Sequence, residues 1–216
     1  MTYYSQIGQD QYYIENIAKK KRNGTFLDIG ANDGIFTSNT ATLELEYGWT
    51  GLCIEANPYL IDQLKNNRPN SIVVNRAVWK EQTTVQFEIP LKFKKHIPGN
   101  VLSRITGIDE LDSRNETYFK KQFAAETELV TVEANTVTNI LDQTIKLPTV
   151  IDYMSLDTEG AEMEALESID FDKIDIRFMT VEHGNRKGYK NMFEQYLKPF
   201  GYRIHRINEW DIEFER

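Results

Sequence analysis

A chain of 216 residues, 40% hydrophobic and 27% charged, is long enough to bury a core without disulfides or a structural metal. Its formal net charge of −8, from 25 basic and 33 acidic residues, argues against a broad grip on nucleic acid, and no apolar stretch suits membrane insertion. A single cysteine excludes an intrachain disulfide, and the polar, aromatic start lacks the pattern of a secretory signal, so a cytoplasmic protein is expected.

The basic run Lys19, Lys20, Lys21 and Arg22 reads as a solvated helix end that complements the helix dipole. Residues 24–29 (GTFLDI) are β-rich and end in a glycine turn, and residues 37–47 follow with helical spacing. Residues 51–55 read as a second strand, 58–67 as a helix opened by proline, and 71–75 as a third strand. Cys53 lies inside an apolar run and reads as packing rather than as a nucleophile. Residues 84–89 and 128–133 resemble extra strands. The long polar segment 91–127, broken by Pro98, Gly99 and Gly107, is expected to be an acceptor-binding insertion or lid. Residues 150–156, 161–168, 175–181 and 188–197 resume the strand and helix alternation, and 202–207 with 211–215 suggest a hairpin that adds an antiparallel strand at the sheet edge. The order predicts one domain over residues 1–216, an α/β fold with a doubly wound, mostly parallel sheet and right-handed crossovers.

The first strand leads into Asp28, Ile29, Gly30, Ala31, Asn32, Asp33 and Gly34. In an open α/β sheet this loop sits at the switch point where ligands bind. A dinucleotide fingerprint would need glycine where Asn32 and Ile35 stand, and Asp28 and Asp33 put negative charge where a diphosphate would lie. The loop suits a cationic nucleoside better, and S-adenosylmethionine carries a sulfonium and an ammonium but no phosphate. The alternative is a plain strand-to-helix turn with Asp33 as its N-cap. Glu55 ends the second strand about twenty residues later, where a carboxylate can hold a ribose diol. Ala56 follows it, and Asn75, Arg76, Ala77 and Val78 fall where small side chains could flank an adenine ring, although strand-end packing explains them equally well.

Asp157, Glu159 and Glu162 cluster where the fourth main strand ends and the next helix begins. Glu159 and Glu162 read equally well as acids complementing a helix dipole. Asp157 stands at the carboxyl end of a central strand, the usual place for catalytic groups, with Glu182 and His183 at the same level one strand over. Two readings of this cluster follow: His183 as a base, oriented by Glu182, or Mg²⁺ or Mn²⁺ held by Asp157 and Glu182 with His183 beside them.

The segments SQIGQD (5–10), FLDIGANDG (26–34), Ser38-Asn39-Thr40 with Leu43-Glu44, GWTGLCIEANP (48–58), Ala77-Val78, SLDTEGAE (155–162) and Val181-Glu182-His183 carry a resemblance to the FkbM family of methyltransferases. The resemblance implies a Rossmann-like sheet, S-adenosylmethionine as donor, and methyl transfer to a hydroxyl oxygen of a sugar, glycan or natural-product scaffold. With it, the expected cofactor contacts are Asp28, Gly30, Asn32, Asp33, Gly34, Glu55, Ala56 and Ala77, and the expected catalytic groups are Asp157, Glu182 and His183. The rival readings are methylation of nitrogen or of a protein side chain, a cofactor-binding module without turnover, and a dehydrogenase. Acceptor identity does not carry over, because 91–127 is the segment least like the family.

Overall fold

The computed structural model describes residues 1–93, 103–106 and 124–216. The chain runs through α1 (Gln9–Tyr12), continued by a π-turn at Tyr13–Ile17, then β1 (Thr25–Ile29), α2 (Ala41–Tyr47), β2 (Thr50–Glu55), α3 (Ile61–Asn67), β3 (Ser71–Asn75) and β4 (Ala77–Val78). It continues with β5 (Thr83–Phe93), β6 (Arg104–Ile105), β7 (Ala124–Asn135), α4 (Val137–Thr144), β8 (Thr149–Ile151), β9 (Tyr153–Leu156) and α5 (Glu162–Glu167). Last come β10 (Ile174–Ile176), β11 (Phe178–Glu182), α6 (Tyr189–Leu197), β12 (Arg203–Ile207) and β13 (Asp211–Glu215).

The main sheet has the order β12-β13-β11-β9-β1-β2-β3. Strands β11, β9, β1, β2 and β3 pair in parallel, and only β13 opposes them. The chain therefore winds outward in both directions from β1, as the alternation predicted. Successive strand residues face opposite sides, and both sides are apolar. Leu27, Leu52, Ile54 and Met154 pack with Ile140, Leu166 and Phe193 of α4, α5 and α6. Phe26, Cys53 and Tyr153 pack with Tyr13, Leu43 and Leu64 on the other face.

The C-terminal hairpin forms, but its antiparallel strand is not at the edge. Strand β13 lies between β11 and β12, and β12 is the outer strand. Burial explains the order: Ile212 and Phe214 of β13 are fully buried, whereas every residue of β12 is partly or fully exposed. Two expected strands are each split in two, 150–156 at Asp152 and 175–181 at Arg177. The Asp152 carboxylate takes Arg177 Nη1 and Lys21 Nζ at 2.8 Å and the Thr25 amide at 3.0 Å, and this charged knot marks the break.

A second sheet has the order β4-β7-β5-β6. It contains the extra strands expected at 84–89 and 128–133, joined as one long antiparallel ladder. The ends of segment 91–127 are thus strand, since β5 reaches Phe93 and β7 starts at Ala124. The rest of the expected insertion or lid, residues 94–102 and 107–123, lies outside the described residues. Ala77, Phe87, Ile89, Ile105 and Val132 of this sheet cluster with Ala161, which follows β9, and this seats the sheet over the carboxyl ends of the main strands. No helix among the described residues is long and apolar enough to cross a membrane.

Candidate active site

A cleft of about 900 Å³, counted to its open mouth, lies where β1, β2 and β9 end beneath the second sheet. Gly30 lines it at φ +84, and a Cβ there would fall 1.6 Å from the carbonyl oxygen of Asp157. Glycine is required because the end of β9 presses on this loop. Gly34, at φ +85, serves another contact, since a Cβ would come within 2.6 Å of Arg68 Cγ and 2.7 Å of Leu64 Cδ1 in and after α3. Asp33 turns away from the cleft. Its Oδ1 accepts the Ile35 and Phe36 amides at 2.9 and 2.7 Å, which closes a tight turn rather than capping a helix, since α2 starts only at Ala41, and Gln63 Nε2 reaches Oδ2 at 3.3 Å. Of the expected cofactor contacts, Asp28, Gly30, Asn32, Glu55, Ala56 and Ala77 line the cleft, while Asp33 and Gly34 shape its loop.

Glu55 is buried, and its two oxygens accept the amides of Asn32 and Asn57, each at 2.7 Å. Burial raises its pKa, and those amides oppose the rise. Asp28 accepts the Thr40 hydroxyl and faces Arg68 Nη1 at 3.5 Å. Burial raises its pKa as well, with Arg68 and Thr40 holding it down. Arg68 is 1% exposed, bonds Glu44 at 2.7 Å and lies 4.9 Å from the Phe26 ring. This buried cation makes the loop less negative than its two aspartates suggested. Burial pushes the Cys53 thiol up to about 12, so it is inert packing, as expected.

At the other end of the cleft, oxygens of Asp157, Glu162 and Glu182 lie within 4.8 Å of one another. Glu162 does more than complement the α5 dipole. Fully buried, it accepts the Thr158 amide, the Thr158 hydroxyl and the Gly160 amide through Oε1, each at 3.0 Å, and so fixes the turn that carries Asp157 and Glu159. Arg186 Nη2 stands 3.0 Å from both Glu162 Oε2 and Glu182 Oε2, in ion contact with each. Asp157 and Glu159 line the cleft and, among the described residues, have no hydrogen-bonded or ion-paired side-chain partner.

Burial at the packed end of the cleft raises the Asp157 pKa well above the usual carboxylate range, reinforced by Glu159, Asp211 and Glu162 and opposed by Arg186. Solvent reaches this carboxylate through the cleft, so the facing acids are the firmer cause. The Glu159 carboxyl is raised to about 7 by burial and Glu162, against Arg186 and Arg104.

His183 does not join this group. Its Nδ1 accepts the Asn185 amide at 3.1 Å and its Nε2 faces the Asn208 carbonyl at 3.3 Å. Glu182 is paired with Arg186 rather than with the imidazole, and neither residue lines the cleft. The expected dyad fails because consecutive residues at a strand end point to opposite sides.

The N-terminal segment is tied to the same rim. Gln9 Nε2 donates to Asp211 Oδ2 at 2.7 Å, buried Asp10 accepts the Tyr4 amide at 2.8 Å and the Thr42 hydroxyl, and Ser5 bridges Thr37. Asn39 and Ser155 also line the cleft, with Asn39 Nδ2 donating to Ser155 Oγ at 3.0 Å. Sequence reasoning noted both only within family-like segments. Arg186 escaped it altogether, although it stands four residues past Glu182.

A doubly wound sheet with a cleft over β1 and β9, an acid at the end of β2 and an acid-rich turn after β9 fit a Rossmann-like methyltransferase. The profile of the methyltransferase FkbM domain matches residues 28–204, and the chain belongs to that family. Among solved structures, the METTL16 methyltransferase domain shares the fold at a TM-score of 0.50 and 12% identity, over 97% of this chain and 83% of that one. A TehB-like SAM-dependent methyltransferase from Corynebacterium glutamicum aligns at a TM-score of 0.47 and 13% identity, over 98% of this chain and 89% of that one. No curated protein sequence matches significantly.

Proposed function

We propose that this methyltransferase moves a methyl group from S-adenosylmethionine to a hydroxyl oxygen of a sugar, glycan or natural-product scaffold, with Asp157 as the base. The lining residues fit that donor. Each Glu55 oxygen takes one amide and keeps a lone pair for a ribose hydroxyl, while Leu60, Ala77, Val78 and Phe87 supply apolar walls for a nucleobase. Asn39 Oδ1 is buried without a donor beside the Gly30 loop, an acceptor that a ligand can complete. When bound, the donor supplies an electrophilic methyl group for in-line attack.

The protein's own part is to align and deprotonate the acceptor. Asp157 carries this reading: its side chain lines the cleft and, among the described residues, has no competing partner, while its backbone carbonyl packs against Gly30 at the centre of the binding loop. Arg186 already compensates Glu162 and Glu182, which favours a protein base over a bound cation. A second reading keeps Mg²⁺ or Mn²⁺ on Asp157, Glu162 and Glu182, supported by the 4.8 Å spread of their oxygens. Release of S-adenosylhomocysteine over a panel of hydroxyl acceptors, with and without chelator, tests both. Turnover that survives chelator supports Asp157; turnover abolished by chelator and restored by Mg²⁺ or Mn²⁺ supports the cation. Transfer to amines alone contradicts the oxygen assignment.

A further inference from the structure

No step described for the donor or for Asp157 uses residues 5–10 (SQIGQD), yet this segment is fixed at both ends. Asp10 is fully buried, and its carboxylate accepts the Tyr4 amide at 2.8 Å, the Ser5 hydroxyl and the Thr42 hydroxyl. Ser5, so held, bridges Thr37 in the loop after β1, while Gln9 reaches Asp211, the first residue of β13. In the sheet β9 and β11 lie between β1 and β13, so this turn passes their carboxyl ends. It does so on the face that carries Asp157. Tyr13, just beyond the turn, stacks on Tyr153 at 4.3 Å, and Tyr153, Ser155 and Asp157 alternate onto one side. The walls assigned to the nucleoside, Glu55, Leu60 and Ala77, lie on the other flank, after β2 and β3.

Thr37 is the residue on which this turn closes, and its backbone is strained. Its φ is +54, a left-handed conformation that a β-branched side chain rarely adopts. Such outliers persist only where surrounding contacts over-determine them, and they cluster at active sites and ligand clamps. Thr37 lines the cleft. Its neighbours spend their side chains on the protein, since Ser38 Oγ accepts the Ala41 amide at 3.1 Å and Asn39 Nδ2 donates to Ser155. Among the described residues the Thr37 hydroxyl has no hydrogen-bond partner. We infer that Thr37 is a specificity-determining residue for the acceptor, hydrogen-bonding a polar group beside the reacting one, and that residues 5–10 are the clamp that holds it there. Glycine would take the same backbone without strain, so what threonine adds at this position is its side chain. A hydroxyl both donates and accepts, which suits a polyhydroxylated acceptor such as a sugar. Asp157 stays free as the base. The inference rests on the acceptor reading proposed above.

Steady-state kinetics on the full chain, with calorimetry of S-adenosylhomocysteine, tests it. Thr37→Gly should raise the acceptor KM about three- to tenfold, the scale of one hydrogen bond, while kcat stays within about twofold and S-adenosylhomocysteine binds as it does to the parent. Thr37→Ser should restore the KM, because it restores the hydroxyl. The urea midpoint of Thr37→Gly should be no lower than the parent's, because the strain is gone. Asp10→Asn should raise the same KM, and Thr37→Gly should add little to it, since both act through one contact. Should Asp10→Asn fail to fold, Thr37→Gly and Thr37→Ser decide alone. An unchanged KM, or a loss in Thr37→Gly that Thr37→Ser does not restore, overturns the assignment of Thr37 and leaves oxygen transfer intact. A loss confined to S-adenosylhomocysteine binding overturns it as well, placing Thr37 on the donor. A lowered urea midpoint in Thr37→Gly overturns the strained clamp. Transfer to amines alone contradicts the oxygen reading instead, and the same KM comparison on the amine then decides Thr37.

Discussion

Around the β1–β2 end of the cleft Asp28, Asp33 and Glu55 each hold protein partners, whereas at the β9 end, among the described residues, the Asp157 and Glu159 side chains hold none. The first group is locked by amides, a threonine and the buried Arg68, so it is preorganised to bind. The second is held in place through its backbone by Glu162 and left free at its carboxylates, an arrangement suited to a ligand or a proton. Acids in one cleft therefore differ in role according to whether their lone pairs are already used.

The largest expected effect breaks the contact between the two ends. Gly30→Ala combines φ +84 with a Cβ placed 1.6 Å from the Asp157 carbonyl, and should cost about 3 kcal/mol or more in urea unfolding. A variant of ordinary stability would show that the β9 turn does not lean on the loop. Next, Asp157→Asn should lower kcat about a hundredfold or more, as for loss of a general base, while His183→Ala stays within about threefold. The reverse ranking would return the base to His183. Glu55→Ala should weaken S-adenosylhomocysteine binding by about 1.5 to 3 kcal/mol, because it removes a charged acceptor. Unchanged affinity in calorimetry would dissociate Glu55 from the ribose.

The smallest effect lies away from the cleft. Lys21→Ala should cost about 0.5 kcal/mol, because Lys21 is 43% exposed and its pair with Asp152 is screened. Despite burial, Lys21, the Thr25 amide and Arg177 hold the Asp152 carboxyl below its ordinary range. Its contribution is therefore full above the unfolded carboxylate pKa and is lost as pH falls through the lowered value. A Lys21→Ala deficit that persisted undiminished below that value would refute the pairing.

Much of the fold was legible because it is written in local patterns: apolar runs ended by Gly30, a proline at the start of the helical stretch after β2, and alternation along the chain. Glu55 and Asp157 were legible for the same reason, since each stands at a strand end whose position the alternation gives. What failed depends on contacts between distant segments. Arg68 neutralises Asp28 from beyond α3, and Arg186 joins α5 to β11. Neither pairing leaves a periodic trace. The partners of His183 were not legible either, because an acid next to a histidine resembles a dyad in one dimension, whereas in the fold Glu182 pairs with Arg186 and His183 meets Asn185 and Asn208. The position of β13 between β11 and β12 likewise depends on burial of Ile212 and Phe214, which a hairpin pattern does not order.

The central claim, that Asp157 takes the acceptor proton, is tested most directly by the pH dependence of single-turnover methyl transfer to a hydroxyl acceptor, in the parent protein and in Asp157→Asn. A base must be ionised to act, so the rate should rise with pH through a limb displaced upward from the ordinary carboxylate range, as burial and the facing acids dictate. That limb should vanish in Asp157→Asn and persist in His183→Ala. A limb that survives in Asp157→Asn, or one that disappears with His183, contradicts the account.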